Sequence, residues 1–200
     1  MTKTNAFLSA AAFGALALTA TLVAPVSAQD KMMKSEMSSE KTVMVGGAAM
    51  FPSKNIIENA VNSKDHTTLV AAVTAAGLVE TLEGKGPFTV FAPTNAAFGK
   101  LPAGTVDTLL KPENKEKLVK ILTSHVVGKA VMSDAIGKMV ADDKGAHPVK
   151  TLSGAMLIVK RSGDKLTLTD ENGGTATVTI ADVKQSNGVI HVIDSVLLPK

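Results

Sequence analysis

The 200-residue chain has no cysteine, no tyrosine and no tryptophan, and its aromatic content of 3% rests on six phenylalanines. Without cysteine there are no disulfides, no thiol for a bacterial lipoprotein anchor and no cysteine-based zinc pair. Phe7 and Phe13 lie in an N-terminal apolar run, which leaves few rings on which bases of a single strand could stack. An excess of one charge is missing too: 21 Lys and Arg face 18 Asp and Glu, for a net charge of +3. That balance, with so few aromatics, argues against nucleic acid as a partner. Walker A loops, dinucleotide fingerprints and His-Glu-x-x-His helices are also absent, so neither an enzyme nor a cofactor is expected.

What is present begins with an export signal. Lys3 gives a basic start, Ala6 to Ala24 forms an apolar run, and Val26-Ser27-Ala28 supplies small residues after Pro25. Residues 1–28 read as a signal peptide cleaved after Ala28, leaving no integral membrane segment in the mature chain. A secreted or periplasmic location follows, and export without disulfides points to a bacterial envelope or exterior.

Residues 29–51 read as a flexible linker rich in Met, Lys, Ser and Glu, ending near Gly46-Gly47. Its Met32, Met33, Met37 and Met44 carry soft thioethers, an arrangement that suits Cu(I). Residues 52–200, about 150 residues, are the size of one ordinary domain.

The first part of that domain has helical periodicity. Ile56, Ile57, Ala60 and Val61 share a face of a helix from Asn55 to Val61. A second helix, capped by Asp65 or Thr67, carries Leu69, Val70, Ala72, Val73 and Ala76 inward and ends at Gly77. Leu78, Val79 and Leu82 continue inward. After Gly84, Gly86 and Pro87, Phe88 to Ala92 reads as a buried strand entering the corner Pro93 to Phe98, where Thr94 or Asn95 caps a helix and Phe98 turns to the core. Val106, Leu109 and Leu110 mark a brief helix, and Lys115 to Thr123 a longer one with Lys115, Glu116, Lys117 and Lys120 on its solvated face. Val126-Val127 is extended, Ser133 to Val140 is helical, and Ala141 to Pro148 reads as a polar loop.

The last fifty or so residues change to strand periodicity. Strands are expected at Met156 to Val159, Lys165 to Thr169, Thr175 to Ile180 and Val189 to Leu198, the third with Ala176, Val178 and Ile180 facing the core. The last block is too apolar for an exposed edge. His191, Asp194 and Ser195 do not make a catalytic triad, because neighbours on one strand point to alternating faces.

Three segments recur in a known order. Thr89-Val-Phe-Ala-Pro-Thr-Asn-Ala-Ala-Phe98 and Asn187-Gly-Val-Ile-His-Val-Ile-Asp-Ser-Val-Leu-Leu-Pro199 resemble the two signature blocks of the fasciclin domain, a secreted adhesion module. Ile121 to Val127 resembles its central Tyr-His motif, with Ser124 in place of the usual Tyr and His125 retained. The resemblance implies an α+β fold, with helices packed on a wedge-shaped twisted β-sandwich. It implies adhesion or surface interaction, in cell-cell, biofilm or host contact, with a cell-surface or matrix protein, a glycan or a second copy as partner. Thr94, Asn95, Phe98, His125, Asn187, Gly188, His191 and Asp194 are the matched positions, with interaction or structural roles. His125 is expected to tie its strand to the Thr94-Asn95 corner. Two other functions stay open: a small-ligand or lipid-binding envelope protein with a hydrophobic cavity between helices and sheet, and the Met-linker Cu(I) binder.

Overall fold

In a computed structural model, residues 41–163 and 165–200 are described. The signal peptide, most of the linker, and Met32, Met33 and Met37 lie outside them. The first described element corrects the linker's expected end. Strands β1 (Val43–Val45) and β2 (Ala48–Met50) form an antiparallel hairpin. Gly46 and Gly47 both have positive φ, +58° and +77°, as a two-residue turn of this hand requires. Val45 and Met50 are buried in the domain core, whereas Met44 is 60% exposed. Three-residue strands carry too little period to be told from a polar tether by sequence pattern.

Six short α-helices follow, interrupted by one strand. Helix α1 (Ile56–Ala60) opens with a capping box: the Glu58 N–H donates to Asn55 Oδ1 at 2.9 Å and the Asn55 N–H to Glu58 Oε2 at 2.8 Å. A 3₁₀ turn (Lys64–His66) leads into α2 (Thr67–Ala76), which ends at Gly77 with φ +73°. Then come α3 (Val79–Glu83), strand β3 (Phe88–Pro93), α4 (Asn95–Gly99), α5 (Thr105–Leu109) and α6 (Lys115–Thr123). Leu118 and Leu122 of α6 are buried, and Lys115, Glu116, Lys117 and Lys120 face solvent as the pattern indicates.

The remaining elements are β4 (Val126–Val127), α7 (Ser133–Asp142), β5 (Ala146–Lys150), β6 (Met156–Ser162), β7 (Lys165–Thr169), β8 (Thr175–Gln185) and β9 (Gly188–Ile193). They join β3 in a seven-stranded sheet of order β4-β3-β9-β8-β7-β6-β5. The expected loop from Ala141 to Pro148 is thus partly strand. β5 pairs antiparallel with β6 from Ala146 opposite Lys160 to Lys150 opposite Met156, and its short polar sequence hid this.

Strand β9 lies inside the sheet between β8 and β3, parallel to β3. Both faces of these two strands are buried, which explains their continuous apolar runs. Val90, Ala92, Ile190 and Val192 join the helices in one core. Phe91 and Ile193 point the other way into a second core with Leu157, Val159, Leu166 and Leu168, covered by Ile136 and Val140 of α7. The sheet therefore folds over, so that β6 and β7 lie across the second face of β3 and β9, and helices cover the first. This is the α+β arrangement expected, helices on a folded twisted sheet.

The fold-over passes through β8. Its pairing with β9 shifts between Val178 and Ile180 and again between Ile180 and Val183. As a result Val178 packs on the second core and Ile180 on the first, although two residues apart they should share a face. The expected common face of Ala176, Val178 and Ile180 is broken by this irregularity.

Candidate functional site

The first and last matched segments become neighbours through the parallel pairing of β3 and β9, from Phe88 opposite Gly188 to Pro93 opposite Ile193. Gly188 is required there: a Cβ at that position would lie 2.2 Å from the Phe88 carbonyl oxygen. Asn187 just before it uses its whole amide. Its Oδ1 accepts from the Ile56 N–H at 3.1 Å, and its Nδ2 donates to the carbonyls of Leu82 at 2.7 Å and Gly84 at 2.9 Å. One side chain thus caps the start of α1 and the end of α3.

At the corner after β3, Thr94 is the helix cap, with Oγ1 accepting from the Ala97 N–H at 3.2 Å. Asn95 has a different task. Its Oδ1 accepts from the Thr68 N–H at 3.0 Å, while Nδ2 donates to the Lys64 carbonyl at 2.8 Å and Thr67 Oγ1 at 2.9 Å. It fastens the start of α2 to the corner. Phe98 is buried in the first core as expected.

His125 does not reach that corner, which corrects the tie implied by the resemblance. Its Nδ1 is 2.8 Å from the Ile121 carbonyl oxygen, and its Nε2 is 2.9 Å from the Leu197 nitrogen. A carbonyl only accepts and a backbone N–H only donates, so Nδ1 carries the proton and Nε2 accepts. The ring is neutral. Burial pushes its pKa down to about 4, against weaker opposing effects of the Ile121 carbonyl and Asp170. The reason for the different partner is the path of the C-terminal segment, which leaves β9 at Ile193 and passes over the ring. Ser124 is also buried, its hydroxyl donating to the Lys120 carbonyl at 2.6 Å and sharing a hydrogen bond of 2.8 Å with Ser153 Oγ.

His191 carries the opposite tautomer. Nδ1 accepts from the Asp182 N–H at 3.2 Å, and Nε2 donates to the Val131 carbonyl at 3.0 Å. Burial lowers its pKa, with the Val131 carbonyl and the Asp182 charge acting in the other direction. Its ring stacks on Phe91, its cross-strand neighbour, with centroids 5.7 Å apart and planes at 26°. Asp194 lies apart from it. Burial tends to raise the Asp194 pKa, but the Thr177 N–H at 2.8 Å, the Ser195 hydroxyl and Lys100 at 3.4 Å outweigh it and hold it low. Ser195 contacts Asp194 and Lys100, and both nitrogens of His191 are engaged by backbone elsewhere. The three residues do not form a triad.

Several joints carried no sequence signal. Asp182 adopts φ +59° in the irregular part of β8. Its Oδ1 accepts from the Ser133 N–H at 2.7 Å and its Oδ2 from the Ser133 hydroxyl, which fixes the start of α7. Thr89 Oγ1 donates to the Lys129 carbonyl at 2.6 Å and accepts from the Val131 N–H at 2.8 Å. His66 is buried with Nδ1 2.9 Å from Ser63 Oγ, its Nε2 has no hydrogen-bond partner of good geometry among the described residues, and burial lowers its pKa against the opposing effects of the Ala92 backbone and Asp65. An aspartate in a strand of threonines gives no hint in sequence that it caps a helix 49 residues away.

An apolar cavity does lie between helices and sheet, bounded by Ile56, Leu69, Val73, Val90 and Leu122, but its volume is about 40 Å³. Ligand pockets run to roughly 300–1,000 Å³, so this cavity does not hold a lipid.

A helix-covered sheet whose first and last motif strands pair in parallel, pinned by two neutral histidines, defines the class of the chain. Residues 64–199 match the family model of the Fasciclin domain. The chain belongs to the fasciclin domain family. It is 50% identical over 162 residues to Protein sll1483 of Synechocystis, covering 81% of this chain and 83% of that one. It is 36% identical over 160 residues to the cell surface glycolipoprotein MPB83 of Mycobacterium bovis, covering 78% and 64%. The solved FAS1 domain pair of the insect cell adhesion molecule fasciclin I shares the fold, with a TM-score of 0.65, 18% identity, and coverage of 80% of this chain and 58% of that one. Among the described residues, no helix is long and apolar enough to cross a membrane.

Proposed function

We propose that the protein is an exported adhesion domain that acts by binding, with a cell-surface or matrix protein, a glycan or a second copy as its partner. Family membership over residues 64–199 carries this reading. The surface location named for the mycobacterial relative and the adhesion role named for the insect protein support it. Residues 1–28 serve as the export signal, removed after Ala28.

The motif residues act in this reading as internal joints. Asn95, Asn187, His125 and His191 direct their polar atoms to backbone and neighbouring side chains of their own domain. Contact falls instead to outward residues, among them Met156 and Ile158 of β6, which are 39% and 41% exposed. With few aromatic anchors each contact is weak, and attachment depends on many copies at a surface.

Surface attachment of the producing cell is the test, with the gene deleted and then restored as the full chain or as a chain lacking residues 29–40. Restoration by both forms supports the folded domain as the adhesive element. Attachment untouched by deletion removes adhesion as the function.

A further inference from the structure

Strands β4 and β5 are the two free ends of the seven-stranded sheet. Residues at and after both ends line one surface groove of about 350 Å³: Val127, Gly128, Lys129 and Val131 from β4 onward, and His147 to Leu152 from β5 onward. One end is closed where the Leu152 N–H donates to the Val126 carbonyl at 2.8 Å. Val131, Met139, Val149 and Leu152 give the groove an apolar lining, and Leu152 remains 46% exposed. Its volume falls within the roughly 300–1,000 Å³ range of small-molecule sites.

The polar groups of the groove select the occupant. Lys129 and Lys150 both line it, and among the described residues no carboxylate does. Among the described residues neither ammonium has a carboxylate partner, while nearby Asp143 is engaged by His147 Nδ1. An added peptide strand is disfavoured because Pro148 interrupts the donors of β5 at this edge. A groove with an apolar lining and cations that lack a carboxylate partner matches an apolar chain that ends in an anion.

We propose that this groove binds a single-chain anionic amphiphile of the fatty-acid class, with the acyl chain along Val131, Met139, Val149 and Leu152 and the carboxylate paired with Lys129 and Lys150. The site adjoins the small cavity under the helices at Leu152, which lines both, and is independent of the adhesive reading. Adhesion stands if this proposal fails, and the reverse also holds.

The test is calorimetric titration of the full chain with decanoate, dodecanoate and tetradecanoate below their micellar concentrations, with dodecyltrimethylammonium as the charge-reversed probe. Expected is saturation at one ligand per chain, with affinity rising about three- to fourfold per added methylene. Dodecanoate binds better than its cationic counterpart. Lys129→Gln with Lys150→Gln weakens it about five- to tenfold at low ionic strength. Met139→Gln weakens every chain length, and Met44→Gln on the exposed first hairpin, outside the groove, changes nothing. Unfolding midpoints are measured for each variant, and if Met139→Gln unfolds, the exposed lysine pair decides. No saturable binding, equal binding of the cationic amphiphile, or wild-type affinity in the double lysine variant overturns the proposal.

Discussion

The Leu197 N–H donates to Nε2 of His125 across 72 residues of sequence, at 2.9 Å, and both residues are buried. Because Nδ1 of the same ring donates to the Ile121 carbonyl, one imidazole joins the end of α6 to the C-terminal segment. Replacing it leaves the buried Leu197 N–H without its acceptor and takes one of two donors from the Ile121 carbonyl, which keeps the Ser124 N–H. His125→Ala is therefore expected to lower stability by about 1 to 3 kcal/mol, read from urea unfolding midpoints. An unchanged midpoint removes the joint from the account.

The neutral state of that ring sets a direction with pH. Its pKa is about 4 in the fold against an ordinary 6.5. Above pH 6.5 neither folded nor unfolded chain binds the proton and stability is level with respect to this group. Below 6.5 the unfolded chain protonates first, so stability falls by up to about 1.4 kcal/mol per pH unit, for about 3 kcal/mol in all by pH 4. His191 and His66 are lowered too and act in the same sense. Unfolding midpoints from pH 8 to pH 5 check this, and His125→Asn reduces the slope.

Gly188 sets the closest approach of the two motif strands. With a Cβ 2.2 Å from the Phe88 carbonyl, Gly188→Ala forces backbone apart and is expected to cost about 3 kcal/mol or more. Gly99, which has nothing within 4 Å of its would-be Cβ, is the control. Gly99→Ala changes stability by less than about 1 kcal/mol.

Asp182 combines a left-handed backbone with a cap. Asp182→Ala loses the acceptors for Ser133 and keeps φ +59°, which alanine tolerates poorly, so a loss of about 2 kcal/mol is expected. Asp182→Asn keeps an acceptor and a residue suited to that φ, and retains most of the stability. Equal losses in the two variants contradict the capping role.

Lys100 and Asp194 are 3.4 Å apart but largely solvated, with side-chain exposures of 56% and 39%. Lys100→Gln is expected to change stability by less than about 1 kcal/mol. A larger loss in thermal unfolding makes the pair more than a surface contact.

How far the sequence was legible depended on the range of the interaction. Helix α6 and strand β7 were readable to the residue because their apolar periods are local, and Gly77 announced the end of α2. The first hairpin and β5 were missed because strands of three to five residues with mixed polarity carry little period. The break in β8 was invisible, since Val178 and Ile180 obey alternation in sequence and depart from it through their pairing with β9. The Thr94-Asn95 corner was correctly read as polar and capping, but its bonds to Lys64 and Thr68 depend on how α2 docks. Likewise, nothing near His125 names Leu197 as its partner.

The central claim is that the family motif holds the domain together and its outer faces make the contact. It is tested most directly by attachment per folded molecule, comparing Asn95→Ala and His125→Asn with Met156→Lys plus Ile158→Lys. The account predicts that attachment by the motif variants falls only in proportion to lost folded protein, while the β6 variant stays folded and loses attachment. A motif variant that is fully folded yet no longer attaches, beside a β6 variant that attaches normally, contradicts it.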